Sequence, residues 1–242
     1  MKTVAPFQIF GFDHLTVLAL IFISVLLLPW LLLPYNDKLK YNLGNLLACL
    51  LIFNELAKPV YYPLFWPESF SILNMLPLHL CHLSSFTIAI FLLTKKKIFF
   101  EIAFFWGISG GLMANTQPDI SLGFPDIQFI LFFFGHWLMW LGIAYSSIVF
   151  KMRPNFQSLL KVIPISLVMV VFIYIINLTI NFFALGNPAN YWYLINLPGG
   201  TNITNFMPSP PYQIPFYIII GIGVFFLIYL PFFLYDRKSK QR

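Results

Sequence analysis

Long runs of apolar side chains, separated by short polar stretches, dominate the chain. Runs at 14–33, 43–62, 76–94, 99–115, 127–150, 159–183 and 213–235 each approach the roughly 20 mostly apolar residues that an α-helix needs to cross a hydrocarbon core about 30 Å thick. The fourth is short and has the weakest claim to a full crossing. Pro34, Pro59, Pro118, Pro154 and Pro188 fall at or beyond run ends, where a residue without an N–H does little harm. The pattern predicts an all-α chain, a polytopic bundle of seven transmembrane helices in one integral membrane domain over residues 1–242.

The charges between the runs add an orientation. Lys38 and Lys40 follow the first run, Lys95, Lys96 and Lys97 the third, Lys151, Arg153 and Lys161 the fifth, and Arg237, Lys238, Lys240 and Arg242 the last. The intervening stretches 63–75, 116–126 and 184–212 carry no Lys or Arg, only Glu68, Asp119 and Asp126. Short basic loops stay in the cytoplasm, so the alternation predicts an odd number of crossings, an external N-terminus and a cytoplasmic C-terminus.

Composition agrees: 60% of the residues are hydrophobic and 9% charged, against roughly 25% charged in soluble domains. The 29 Phe and 18 Pro suit lipid-facing helices bounded by prolines rather than a β-barrel of alternating polarity. The net charge of +6 sits in loops, where membrane orientation accounts for it better than nucleic-acid binding. Only Lys2 precedes the first run and no small-residue cleavage site follows it, so that run reads as a retained helix and not a signal peptide. Cys49 and Cys81 both lie in apolar stretches and predict no disulfide framework. The stretch 184–212 is long and uncharged, in the manner of a lid or an interfacial element. Its Tyr191, Trp192 and Tyr193 suit the headgroup layer.

Mapped onto this topology, the polar residues share one depth. His14 opens the first helix, Asn54, Glu55 and Lys58 close the second, and His79, Cys81 and His82 open the third. Asn115 closes the fourth, His136 lies in the fifth, and Asn177 and Asn181 close the sixth. All fall in the outer half, whereas the cytoplasmic half carries almost nothing reactive. Ionisable groups at membrane depth are costly and usually face a bundle interior or a wet cavity, so this common level predicts a polar pocket opening outward. Cys81, in the first turn of its helix, is exposed to unsatisfied N–H groups and the helix dipole, which suit a reactive thiol. Neighbours at i+1 and i+2 do not face each other on a helix. A base for Cys81 is therefore expected from another helix, with His136 the best candidate and Glu55 as orienter.

Plainer readings compete residue by residue. A single intramembrane cysteine is more often structural, a histidine between helices is more often packing glue, and Glu55 with Lys58 at i, i+3 forms an ordinary ion pair. His79 and His82 at i, i+3 would permit zinc but match no specific zinc motif; no metal and no cofactor are expected. The same pocket would serve a non-catalytic transporter or lipid-binding protein, although no pair of Gly/Pro-interrupted helices in two similar halves is visible.

The sequence resembles the YwaF-like bacterial integral membrane proteins, which are related to eukaryotic transmembrane protein 164. The resemblance covers nearly the whole chain. It rests on His14, Pro-Leu-His-Leu-Cys at 77–81, Phe-Glu-Ile-Ala-Phe-Phe-Trp-Gly-Ile at 99–107 and Gly-Phe-Pro-Asp-Ile-Gln-Phe at 123–129. His136, Asn190-Tyr191 and Tyr229-Leu230-Pro231-Phe232 extend it. It implies a cysteine-dependent acyltransferase of the bacterial plasma membrane that moves a fatty acyl chain from a phospholipid to a lysophospholipid without coenzyme A. By that resemblance Cys81 is the nucleophile and His136 its base. In the resulting scheme Glu55 and His14 orient or polarise, and Asn115 or main-chain N–H groups at the start of the third helix stabilise the oxyanion. His79, His82, Asn115, Asn177, Asn181, Asn190 and Tyr191 are the expected substrate-binding residues.

Overall fold

The computed structural model describes residues 5–65, 71–73, 75–186, 188–198 and 206–239. Lys2, Glu68, Lys240 and Arg242, used above for charge placement, lie outside the described residues. The described chain is all-α apart from one isolated β-bridge, Pro6 to Leu122. Its helices are α1 (Phe12–Leu31), α2 (Asp37–Phe65), α3 (Leu80–Thr94), α4 (Lys97–Thr116), α5 (Ile127–Ile148), α6 (Phe156–Phe183) and α7 (Ile214–Ser239). All except α3 are long and apolar enough to cross a membrane, and the chain is a multi-pass helical membrane protein.

Two expectations about individual crossings change. The short helix is the third and not the fourth: α4 has 20 residues and α3 has 15, which at 1.5 Å per residue gives about 22 Å. The apolar run from Met75 to His79 is irregular and turned, which hydropathy cannot distinguish from a helical turn. Six described helices, not seven, therefore have full spanning length. Pro59 does not mark a helix end either, because α2 continues through Pro59 and Pro63 to Phe65.

Local chemistry sets several boundaries. Asp126 caps α5 by accepting a hydrogen bond from the Gln128 N–H at 2.8 Å. Asn155 and Ser158 form a reciprocal capping box at the start of α6, satisfying N–H groups that the first helical turn leaves unpaired. Lys95, between α3 and α4, takes a left-handed φ of 57°. Its side chain donates to the Leu92 carbonyl and places the ammonium 4.0 Å from the centroid of the Phe150 ring.

The chain divides into two compact units, Met1–Asn54 with Ser84–Arg153 and Glu55–Leu83 with Pro154–Arg242. In the first, α5 packs against α1 and α4, with Phe100, Phe105, Phe133, Leu138 and Met139 fully enclosed. Gly107 and Gly111 of α4 let α5 approach closely. A Cβ built at Gly107 would lie 2.5 Å from Ile143 Cδ1, and one at Gly111 only 2.3 Å from Trp140 Nε1. The Trp140 indole N–H uses the space to donate to the Gly107 carbonyl at 2.8 Å. Because apolar burial gives helices in lipid no net preference for one another, such small-residue contacts carry much of the packing.

In the second unit, α6 packs against α7 and against a single 3-10 turn, Tyr191–Tyr193. Ile173, Ala189, Tyr191 and Leu194 form its buried cluster. Val168, Val171, Phe172 and Ile175 remain exposed on α6, as befits a helix solvated by lipid.

Candidate active site

Glu55, Lys58, His79, Cys81, His82, Asn177, Asn181, Asn190 and Tyr191 belong to the second unit; His14, Asn115 and His136 belong to the first. The two sets are built in different ways.

In the second unit the last part of α2 and the first turn of α3 supply a polar knot. The Glu55 side chain is 3% exposed and accepts a hydrogen bond from the Lys58 ammonium at 2.6 Å, one helical turn further on. His82 Nε2 lies 3.9 Å from the same carboxylate oxygen. Cys81, the second residue of α3 and the neighbour of His82, is partly buried and not disulfide-bonded. Tyr61 and Tyr62 follow in the next turn of α2, their rings stacked at 5.2 Å between centroids. The first turn of α3 and the end of α2 thus carry a thiol, an imidazole, a carboxylate and an ammonium, inside helices otherwise made for lipid. Lys58, Tyr61 and Tyr62 were not among the expected site residues; the i, i+3 spacing of Glu55 and Lys58 was the available signal.

His79 sits just ahead of α3. Its ring packs edge-on against His82 at 5.7 Å and Tyr191 at 5.2 Å between centroids, and is tilted toward Tyr193 at 5.8 Å. The four polar residues expected to bind substrate in α6 and the following segment are engaged in holding that segment. Asn177 donates to the Tyr191 carbonyl at 2.9 Å and accepts from the Tyr191 N–H at 2.8 Å. Asn181 makes the same pair of bonds to Ala189, both 2.9 Å. Asn190 accepts from the N–H groups of Ile195 and Asn196 and donates to the Asn196 carbonyl. Tyr191, 1% exposed, donates its hydroxyl to the Leu73 carbonyl at 2.6 Å and accepts from the Leu76 N–H at 3.1 Å. Tyr191 lies in the connection between α6 and α7, and burial pushes its phenol up to about 12, against a smaller opposing effect of the bond from Leu76. Residues 188–198 are therefore pinned to α6 by an asparagine ladder, so this part of the connection is built as an anchored element, not a loose lid.

In the first unit His14 is completely buried. Its Nδ1 accepts from the Phe10 N–H at 2.9 Å, which leaves the proton on Nε2 to be donated to the Asn115 carbonyl at 2.7 Å. Both ring nitrogens thus tie the start of α1 to the end of α4, while Phe7, Phe10 and Phe133 pack around the ring. The Asn115 amide donates to the Gly111 carbonyl at 2.8 Å, and its Oδ1 is buried with no hydrogen-bond partner among the described residues. His136 Nδ1 lies 2.8 Å from the Phe132 carbonyl. Only a protonated Nδ1 can use that acceptor, so Nε2 is the basic nitrogen of the neutral ring.

Glu101, 1% exposed on α4 with Lys97 at 3.6 Å, is a buried acid toward the opposite helix end from Asn115. The half of the helices near the basic loops is thus not devoid of reactive groups. Among the described residues, His, Cys, Asp and Glu side chains form no group of three that could hold a metal ion.

No curated protein matches the chain, and no solved structure does. The TMEM164 family model matches residues 9–229, a stretch that includes every residue of both sites described above. The chain is a member of the TMEM164 family, and of its multi-pass helical membrane proteins.

Proposed function

We propose that this protein is a cysteine-dependent phospholipid acyltransferase of the bacterial plasma membrane, working without coenzyme A at the outer leaflet. The observation that carries the reading is that Cys81 lies in the first turn of α3 next to His82, whose Nε2 is 3.9 Å from the carboxylate of the buried Glu55–Lys58 pair. Charged groups at membrane depth are rare and usually functional, and here the pair meets the imidazole of the residue that follows a nucleophile.

In the first half-reaction Cys81 Sγ attacks the ester carbonyl of a phospholipid. The C–S bond forms, the C–O bond breaks, and the thiol proton passes through a base to the leaving alkoxide, releasing a lysophospholipid. In the second, the hydroxyl of another lysophospholipid attacks the thioester, its proton goes to the base, and the thiol is restored. His136, with Nε2 as its basic nitrogen, is the base that the family resemblance implies. Glu55 balances the charge of Lys58 and lies 3.9 Å from His82 Nε2. Main-chain N–H groups at the start of α3 suit the oxyanion, a contribution of roughly 3–4 kcal/mol per donor in acyl transfer. His14, with its ring committed to Phe10 and Asn115, orients helix ends.

The basic loops face the cytoplasm in this reading. The non-helical residues 76–79 complete the crossing that α3 begins, giving seven passes and an external N-terminus. The test is purified protein incubated with chain-labelled phospholipid and lysophospholipid. Transfer should vanish in Cys81→Ala and fall by orders of magnitude in His136→Ala; full transfer in Cys81→Ala ends the proposal.

A further inference from the structure

Residues 75–79 are not helical, yet they deliver the turn of α3 that carries Cys81. Main-chain N–H and C=O groups at membrane depth need partners. Here many partners are side chains from more than a hundred residues further along the chain. The Tyr191 hydroxyl bridges the Leu73 carbonyl and the Leu76 N–H, and the Trp192 indole N–H donates to the Leu78 carbonyl at 2.8 Å. The rings of Tyr191 and Tyr193 then meet His79. One short segment thus holds residues 73, 76, 78 and 79, the last of them two positions before Cys81.

That segment is itself over-determined. Asn177 grips Tyr191 through both main-chain polar groups. The side-chain amide of Gln213, fully buried, donates to the Tyr193 and Leu194 carbonyls at 3.3 and 3.2 Å. Trp192 and Tyr193 take left-handed φ values of 59° and 53°, a conformation disfavoured for bulky residues that persists only where the surroundings enforce it. Strain of this kind marks a place where position matters more than local comfort.

We infer that Tyr191, anchored by Asn177, is a positioning residue that fixes the place of Cys81 by supplying the hydrogen bonds of the irregular segment ahead of α3. The inference rests on Cys81 being the nucleophile, and its test is independent of acyl transfer. Full-length Cys49→Ser protein in lipid nanodiscs is treated with iodoacetamide over a pH series, and alkylation of Cys81 is followed by mass spectrometry. Tyr191→Phe removes only the hydroxyl and keeps the ring on His79. The hydroxyl makes two hydrogen bonds, so alkylation should accelerate by roughly 30-fold, about fivefold for each bond lost, with a displaced pH profile.

Asn177→Leu, which removes both grips, should exceed that effect, and Asn177→Asp, which keeps the bond accepted from Tyr191, should restore part of it. In the transfer assay the same variants should lower kcat and leave KM nearly unchanged. Alkylation rate and pH profile equal to the parent in Tyr191→Phe overturn the inference, and this variant decides alone if Asn177→Leu does not fold. Failure of the acyltransferase reading is registered separately, by transfer that survives Cys81→Ala.

Discussion

Lys58→Met separates stability from chemistry in the polar knot. The substitution keeps most of the side-chain volume and removes the ammonium that donates at 2.6 Å to the Glu55 carboxylate, itself 3% exposed and with His82 Nε2 3.9 Å from the same oxygen. Removing one member of a buried ion pair costs roughly 3–5 kcal/mol, because the other charge stays buried without its ion partner. Lys58 is itself 16% exposed, so we place the loss near the lower end, about 3 kcal/mol. Replacing both partners by apolar groups is often neutral or stabilising. The double variant Glu55→Leu/Lys58→Met should therefore recover most of the lost stability while remaining without transfer activity. Equilibrium unfolding of the parent, both single variants and the double variant in lipid or mixed micelles closes the cycle. A Lys58→Met protein as stable as the parent, or a double variant no more stable than Lys58→Met, would refute the claim that the pair is a coupled buried unit. A stable double variant with full transfer would show that the pair has no part in the chemistry.

Gly111→Ala should destabilise the protein by roughly 1–3 kcal/mol through overpacking, since the added methyl group would lie 2.3 Å from Trp140 Nε1. Tryptophan emission during unfolding reads both the stability and the displaced indole. Gly223→Ala on α7, where nothing lies within 4 Å, should be neutral or mildly stabilising in the same measurement. Because the Tyr191 phenol is raised in the folded state to about 12 from its usual 10, the stability it contributes is complete below pH 10 and declines as pH rises from 10 toward 12. An unfolding series over that range should show the decline in the parent and a smaller one in Tyr191→Phe; identical curves would remove Tyr191 as its source.

The helix ends were legible in the sequence wherever a polar residue stood at the edge of an apolar run. His14, Asn115, Cys81 and Asn181 all lie close to the helix ends expected for them. The exact first turn of α3 was not, and the apolar run puts it too early, at residue 76, because Met75, Leu76 and Leu78 are as apolar in an irregular segment as in a helix. Nor was the continuation of α2 past Pro59, since a proline inside a membrane helix is tolerated when neighbours re-satisfy the backbone. Gly107 and Gly111 did carry a signal in their small-residue spacing, which marks close helix contact.

Partnerships across long sequence separations left no trace in hydropathy. His14 with the Asn115 carbonyl and Tyr191 with Leu73 and Leu76 are 101, 118 and 115 residues apart. Polar residues near helix ends looked alike in the sequence, but packing divides them. Asn177 and Asn181 spend their amides on neighbouring main chain, whereas Lys58 and His82 converge on the Glu55 carboxylate.

The central claim is that Cys81 carries the acyl group in transit. Brief incubation of the protein with chain-labelled phospholipid, acid quenching and mass spectrometry of the peptide containing Cys81 tests it directly. The account predicts an acyl mass increment on Cys81 that hydroxylamine removes and that excess lysophospholipid discharges, with Cys49 unlabelled. Label confined to Cys49, or undiminished transfer with no thioester on Cys81 at any time, would contradict it.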